Sequence, residues 1–368
     1  MSAFAFALDA TDGGARAGTF TTPHGACATP MFMPVGTRAA MRVMTVRDLE
    51  EAGAAMVLAN AYHLLQRPGA EVVRELGGLH RFMGWHRPLL TDSGGFQVWS
   101  LAERRRLDGD GVTFRSEIDG ALLRLTPESV VAVQEALGPD VAMPLDHCIE
   151  YEATRDAVAR AVETTVAWAR RSVAARTRAD VALFPIVQGG VHEDLRVACA
   201  QALVELDAPG YAAGGFRIGE PDDATWGALR ATNAALPADR PRYMMGIGTP
   251  QDFLAAVAEG VDMTDCVLPT RNARHLQALT RTGPLRLRNA RHARDPAPLD
   301  AACRCPTCAR HSRGYLRHLA QTDEPLAATL LSIHNVTYML DLARDARAAI
   351  VAGRFDAFRR ETLAALAA

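Results

Sequence analysis

The chain has 368 residues, of which 49% are hydrophobic and 22% charged, with a net charge of −2. That balance suits a well-buried globular protein of one large domain or two ordinary ones. All 40 basic residues are arginine, which excludes Schiff-base lysine enzymes, lysine-anchored pyridoxal phosphate chemistry and the Walker lysine, because each needs a primary amine.

Apolar runs such as Ala54–Leu58 are far too short to span a bilayer, so no membrane contact is expected. The N-terminus lacks a basic region ahead of an apolar stretch and soon meets Asp9, Asp12 and paired glycines. No signal peptide is read there, and a soluble cytoplasmic protein is expected. The seven cysteines are odd in number and three are clustered, unlike a secreted disulfide framework. Charge is unevenly spread. Between Arg271 and Arg317 there are 11 arginines against two acids, Asp295 and Asp300, about +9 for that segment. Clustered arginine reads as a phosphate-binding footprint, or as a solvated face paired with acids elsewhere.

Residues 1–29 read as an N-terminal β extension, with a turn at Thr21-Thr-Pro-His-Gly25. Short apolar strands then follow at Pro30–Val35, Ala54–Asn60, Pro88–Asp92, Val141–Asp146, Leu183–Gln188, Tyr211–Gly215, Tyr243–Gly246 and Val261–Val267. Most gaps hold a helix with recognisable ends: Thr126-Pro127 to Gly138, Thr154 through Val173, and Thr249-Pro250 to Gly260. Threonine caps orphan N–H groups, proline at the first position removes one, and glycine tolerates the left-handed end. Strands too apolar to alternate, spaced by helices, predict a parallel sheet buried on both faces. Eight such units fit an α/β fold of the (β/α)₈ TIM-barrel type. A doubly wound sheet is the runner-up, weakened because no Gly-x-Gly-x-x-Gly follows the first strand. The unit after the third strand is overlong, and residues 99–126 read as a β-hairpin insertion, Gly111–Ser116 and Leu122–Thr126 around Ile118-Asp-Gly120.

In a barrel, chemistry is built where strands end. Those ends carry Asn60, then Asp92-Ser93-Gly94-Gly95-Phe96-Gln97, Asp146, Gln188-Gly-Gly190, Gly214-Gly215, Met245-Gly246 and Asp265. Asp and Gln can read the Watson–Crick edge of a purine, and Phe with Met can sandwich its faces. Two further carboxylates suit acid/base and nucleophilic work at a glycosidic carbon. Taken singly, each has a structural reading: an isolated strand-end aspartate is more often a cap or salt-bridge partner.

Cys303-Arg-Cys305-Pro-Thr-Cys308 and a later His334 supply three thiolates and an imidazole, the donor set of a closed tetrahedral zinc site. With no fourth place for water, the metal is expected to be structural, one per chain, in a zinc-binding subdomain over 295–345. Arg304, Arg310, Arg313 and Arg317 surround it, a candidate reader of phosphate backbone.

Together these motifs resemble the bacterial tRNA-guanine transglycosylases, the queuosine-pathway tRNA-ribosyltransferases. The resemblance runs through Phe32-Met-Pro-Val-Gly-Thr37, Tyr62-His-Leu64, Arg67-Pro-Gly69, Thr91-Asp-Ser-Gly-Gly-Phe-Gln-Val98, Ile186-Val-Gln-Gly-Gly190, Met245-Gly-Ile-Gly-Thr-Pro250, Asp265-Cys-Val-Leu-Pro-Thr-Arg-Asn-Ala-Arg274 and the cysteine cluster. It implies a TIM barrel with a zinc subdomain that exchanges wobble guanine of G-U-N anticodon tRNAs for a 7-deazaguanine, preQ1 rather than queuine. Asp265 then resembles the nucleophile and Asp92 the general acid/base. Asp146, Gln188, Gly215 and Phe216 resemble the base-recognition set, with Ser93 and Asn60 beside it and Phe96 and Met245 as stacking walls. Arg271, Arg274, Arg313 and Arg317 are the expected RNA contacts. The resemblance implies a homodimer, with tRNA and a guanine or 7-deazaguanine base as partners and no nucleotide cofactor. The chain departs from the family pattern at His147, Pro185, Arg217, Thr264 and His275-Leu276. The alternatives are a divergent paralogue acting on another RNA or DNA, and a non-catalytic RNA-binding partner subunit. A metal-dependent TIM-barrel hydrolase would want His-x-His at an early strand end, which is absent.

Overall fold

A computed structural model of the protein describes residues 3–95, 105–116 and 118–367. Its centre is a ring of parallel ladders. The strand Met31–Gly36 pairs on one side with Val57–Asn60 and on the other with Met263–Cys266. From Val57–Asn60 the pairing runs through Leu89–Asp92 and Val141–Ala142 to Ala182–Leu183. From Met263–Cys266 it runs through Arg242–Met244 and Tyr211–Ala213 to Ile186–Val187. The last pieces on the two sides are halves of one strand, so eight strands close into the TIM barrel that the sequence predicts. Pro185 is what splits the fifth strand. It has no N–H to donate, yet its carbonyl still accepts from Ala212 at 2.8 Å, and the Phe184 N–H reaches Ala142 O at 3.0 Å.

The barrel interior is packed, not hollow. Met31, Met33, Leu58, Leu90, Met143, Phe184, Ile186 and Met263 fill it, and Phe4, Phe20 and Cys27 close the floor. Phe20 and Cys27 come from an antiparallel sheet, Ala5–Asp12, Ala15–Thr22 and Gly25–Thr29, and Phe4 immediately precedes its first strand. Its Phe20 ring lies 5.7 Å from Phe184, which plugs the end opposite the active-site mouth.

Helix ends follow the expected chemistry. Thr126, Thr154 and Thr249 each cap a helix, accepting from the N–H groups of Ser129, Ala157 and Asp252 at 3.2, 3.3 and 3.0 Å. Each such cap is worth about 1 kcal/mol. The segment after the third strand forms a three-stranded antiparallel sheet, Arg105–Asp108, Gly111–Arg115 and Leu122–Leu125. Near the C-terminus, a long helix, Pro325–Val351, lies along the barrel wall and carries His334 and Asn335, both fully buried. No described helix is long and apolar enough to cross a membrane.

Candidate active site

Residues from all eight strand ends line one cavity of about 340 Å³ at the C-terminal mouth of the barrel. Asn60, Asp92, Ser93, Asp146, Gln188, Gly215, Phe216, Met245 and Asp265 all face it. Phe96 lies outside the described residues. The gathering follows from the pleat: in a parallel ring the last inward-facing residue of each strand points into the same opening.

Register explains the first pair. Asn60 and Asp92 are direct neighbours on adjacent strands, and the Asn60 side-chain amide donates to Asp92 Oδ2. Asp92 Oδ1 accepts from the Ala61 N–H at 3.1 Å. Burial nevertheless dominates and pushes the Asp92 carboxyl up to about 8; the Asp265 and Asp146 charges add to this, while amide bonds from Ala61 and Gly94 act against it. Asp92 therefore holds a proton at neutral pH. Asp265 stands on the eighth strand in phase with Met263, one layer nearer the mouth. Its Oδ1 accepts from the Tyr243 hydroxyl at 2.6 Å and the Gly246 N–H at 2.8 Å. Burial raises its pKa, and these two donors pull it back toward the anion. Two carboxyls in one cavity are thus held in unlike environments, the arrangement that separates an acid from a nucleophile.

Asp146 and Gln188 form a second unit. Gln188 Nε2 donates to Asp146 Oδ2 at 2.7 Å, and burial raises the Asp146 carboxyl to about 6, partly offset by that bond. Gln188 lies so close to the next strand that a Cβ at Gly215 would stand 2.4 Å from its Oε1. Gly215 also has φ +69°, so this position is closed to ordinary side chains on both counts.

Behind this unit sits a residue the sequence reading missed. Arg196 has 0% exposure and makes no ion pair among the described residues. It donates to the carbonyls of Gly190, Val187, Gly214 and Gly215, at 2.8, 3.0, 2.8 and 3.4 Å, and its guanidinium lies 3.8 Å from the Phe216 ring centroid. Burial lowers its pKa to about 10, so it remains a cation that ties the fifth strand end to the sixth. Tyr243 was missed too, because an inward aromatic reads as core. Tyr243→Phe removes one of the two donors to Asp265 Oδ1. A hydrogen bond to a charged group is worth about 1.5–3 kcal/mol, so activity at neutral pH is expected to fall at least about tenfold. Its acid limb should move to higher pH, and a pH–rate profile of the variant checks this.

The departures from the family pattern sit around the cavity rather than across it. The His147 N–H donates to Thr165 Oγ1 at 3.0 Å, and its ring lies 6.4 Å from Trp168, toward the helix Arg155–Ala175. Arg217 lines the rim, but its guanidinium pairs with Asp222 and Asp252. Leu276 adopts φ +61°, the conformation a glycine would take at no cost, and its side chain packs against the cysteine-cluster core.

Beyond Asp265 the chain enters a short helix, Leu268–Arg274. Arg271 is exposed, and Arg274 Nη1 donates to Thr270 O at 2.9 Å. Burial and the neighbouring charges of Arg42 and Arg271 lower the Arg274 pKa. None of the three makes an ion pair among the described residues, so the helix and the loop after the first strand present unneutralised positive charge. Arg42 is the member sequence reasoning missed. Arg313 and Arg317 are already engaged: Arg313 pairs with Asp295 at 3.2 Å, and Arg317 bonds Asn289 O and Gln321.

Cys303, Cys305, Cys308 and His334 are buried with their ligand atoms all within 4.8 Å of one another. His334 Nε2 bonds Leu279 O at 2.7 Å, which leaves Nδ1 facing the Cys305 and Cys308 sulfurs at 3.6 and 3.3 Å. An S–N edge of a tetrahedron with ordinary zinc bond lengths is about 3.5 Å, so the cluster fits a metal ion of that kind. The adjacent Asn335 accepts from the Leu279 N–H at 2.8 Å and donates to Pro269 O at 2.9 Å and Gln277 O at 3.0 Å. The cluster thereby braces the arginine helix that follows Asp265.

A family profile described as Queuine tRNA-ribosyltransferase matches residues 11–368. Relatives bearing that name include one from Gloeobacter violaceus, 53% identical over 358 residues, 96% of this chain and 95% of the relative. Another, from Thermosynechococcus vestitus, is 52% identical over 347 residues, 94% and 92%. A third, from Herpetosiphon aurantiacus, is 48% identical over 363 residues, 99% and 93%.

Proposed function

Because the chain belongs to the queuine tRNA-ribosyltransferase family, a family of pentosyltransferases, we propose that it exchanges the wobble guanine of G-U-N anticodon tRNAs for preQ1, a step of queuosine biosynthesis. The observation that carries the chemistry is the pair Asp92 and Asp265, two buried carboxyls on one cavity held by different donors, Asp92 by Asn60 and Ala61 and Asp265 by Tyr243 and Gly246. The target nucleotide swings out of its stack into the cavity. Asp265 attacks C1′ of the ribose and forms a covalent ester while Asp92 gives its proton to the departing guanine. Asp92 then takes a proton from the incoming base, which displaces Asp265 from the opposite face. Two displacements retain configuration at C1′. The glycosidic bond energy is conserved, so no nucleotide cofactor is needed.

Asp146 and Gln188 are read as the purine-edge contacts, with Gly215 and Phe216 supplying backbone groups and Met245 one stacking wall. Ile218 and Cys148 both line the cavity; the bulk of Ile218, together with the bacterial-like Cys148, supports preQ1 or guanine over queuine. The test is incorporation of labelled guanine into a G-U-N tRNA, with preQ1 and queuine as competitors. No incorporation would sink the reading, and displacement of label by queuine but not preQ1 would sink the base assignment.

The arginine helix is read as the RNA contact. Arg274→Ala is expected to weaken tRNA binding by about 1 kcal/mol and to lower the slope of log affinity against log salt by about one, as for loss of one phosphate contact. Filter binding across a salt series checks both. The cysteine cluster is read as a structural zinc site with one ion per chain. Cys305→Ala should lose that metal, measured by elemental analysis. It should cost about 4 kcal/mol where zinc stands a thousandfold above its Kd. A native protein without metal would refute this. We also read the chain as a cytoplasmic homodimer; light scattering tests the oligomeric state.

A further inference from the structure

At the barrel floor, opposite the cavity, three segments distant in sequence bring His24, His80 and Asp140 together, with their ligand atoms all within 4.8 Å of one another. His24 stands on the turn between the strands Ala15–Thr22 and Gly25–Thr29, His80 on the helix Gly78–Met83, and Asp140 immediately before the strand Val141–Ala142. The catalytic mechanism uses none of them.

The hydrogen bonding around His80 is the informative part. Its Nδ1 lies 3.1 Å from the Trp85 carbonyl, which can only accept, so Nδ1 carries the proton. In the neutral ring, Nε2 is then a bare lone pair. It faces Asp140 Oδ2 at 3.4 Å and makes no hydrogen bond. With the ring neutral, two acceptors face one another where the His80 side chain is only 12% exposed; either a second proton or a cation between them relieves that contact. This repeats the arrangement at His334, where one ring nitrogen is anchored on a backbone carbonyl and the other faces the metal ligands. The remaining donors fit the same centre. Asp140 Oδ1 lies 2.9 Å from His24 Nδ1, while Oδ2 is steadied by the Leu89 N–H at 2.8 Å. The His24 side chain is 41% exposed, which gives an ion a way in.

We propose that His24, His80 and Asp140 form a second metal site, for a borderline divalent cation such as zinc. Two imidazoles and one carboxylate select that class over magnesium or calcium, which prefer all-oxygen shells. Binding places the cation between His80 Nε2 and Asp140, and the His24 ring proton moves through solvent from Nδ1 to the exposed Nε2, which frees the Nδ1 lone pair for the ion and leaves the imidazole neutral. The two rings stack at 3.6 Å, so coordination turns His24, the exposed member, until its Nδ1 points at the ion. Water completes the shell. The ion then clamps the N-terminal sheet to the barrel floor and stabilises the fold without touching the catalytic cavity.

The test uses the full chain as purified, dialysed against buffered free zinc, with bound metal counted by mass spectrometry. The wild type should hold about one equivalent more than His24→Ala or His80→Ala, and added zinc should raise the Tm of the wild type but not of His24→Ala. His24 lies on an exposed turn, so its variant should fold. Cobalt taken up at this site should show d–d absorption without a thiolate charge-transfer band, since no sulfur is present. Equal metal content in the wild type and both variants would overturn the proposal, as would a His24-dependent equivalent that carries the thiolate band. Because the readout is a difference between variants, it does not depend on how the cysteine cluster is loaded or on the proposed reaction.

Discussion

Asp265→Ala is expected to lower guanine incorporation by about 10⁴-fold or more and to abolish any covalent RNA adduct. The side chain is fixed by two donors on one oxygen, the Tyr243 hydroxyl and the Gly246 N–H, which leaves Oδ2 to attack. Alanine leaves nothing in its place. A water molecule admitted to the gap would at best release guanine and leave an abasic nucleotide, not an exchanged one. Folding should survive, because the change removes a buried carboxyl whose ionisation burial disfavours. The Tm of the variant is therefore expected at or above that of the wild type, which separates loss of chemistry from loss of structure. Two measurements decide the point: labelled guanine incorporation, and a denaturing gel of enzyme stopped with RNA bound. An adduct persisting in Asp265→Ala would move the nucleophile elsewhere, with Asp92 the next candidate.

The barrel was legible because its signals are local. Short apolar strands alternate with helices whose Thr caps and glycine ends lie within one turn of each boundary. The strand-end carboxylates followed, since a parallel barrel brings every strand's last inward residue to one mouth. The residues that support them were not legible, and the reason is register. Tyr243 reads as core, and only the pairing of its strand with Met263–Cys266 shows its hydroxyl under Asp265. Arg196 reads as a surface arginine on a helix, yet it is sealed among four carbonyls contributed by two strand ends. Asn335 is one polar residue in a long apolar helix, and its partners Pro269, Gln277 and Leu279 are more than fifty residues away. A faint signal existed for Asn335: a buried helix rarely carries adjacent His and Asn without partners for both.

Leu276 shows the opposite case, a local signal that the tertiary structure overrides. A left-handed turn at this point suits glycine, not the His-Leu of this chain. The turn is kept all the same, with φ +61° at Leu276, its N–H bonded to Ala273 O at 2.9 Å and its carbonyl accepting from Leu287 at 3.0 Å. The conformational cost is about 1–2 kcal/mol. Packing of the Leu276 side chain against the cysteine-cluster core offsets it, by about 0.8 kcal/mol for each buried methylene.

Asp92→Asn is expected to separate activity from stability along the pH axis. In the folded chain the Asp92 carboxyl is pushed up to about 8 from an ordinary value of 3.8, chiefly by burial and secondarily by the charge of Asp265. Between those values the folded protein keeps the proton and the unfolded chain releases it. Stability therefore falls as pH rises through this window, by up to about 1.4 kcal/mol per unit, and levels off once the folded carboxyl ionises. Asparagine cannot ionise, so this slope should be absent from the variant. The Tm difference between variant and wild type should grow with pH up to about 8, whatever constant offset the amide introduces beside Asn60 and Ala61. Catalysis should move the other way. In the proposed mechanism guanine leaves with a proton from Asp92, so exchange in the variant should fall by about 10²–10⁴-fold at neutral pH. In the wild type the rate should decline above about 8 as the acid is lost. Thermal unfolding and exchange kinetics across one pH series measure both. A purely structural Asp92 would give a variant that is less stable at every pH, with no alkaline limb to remove.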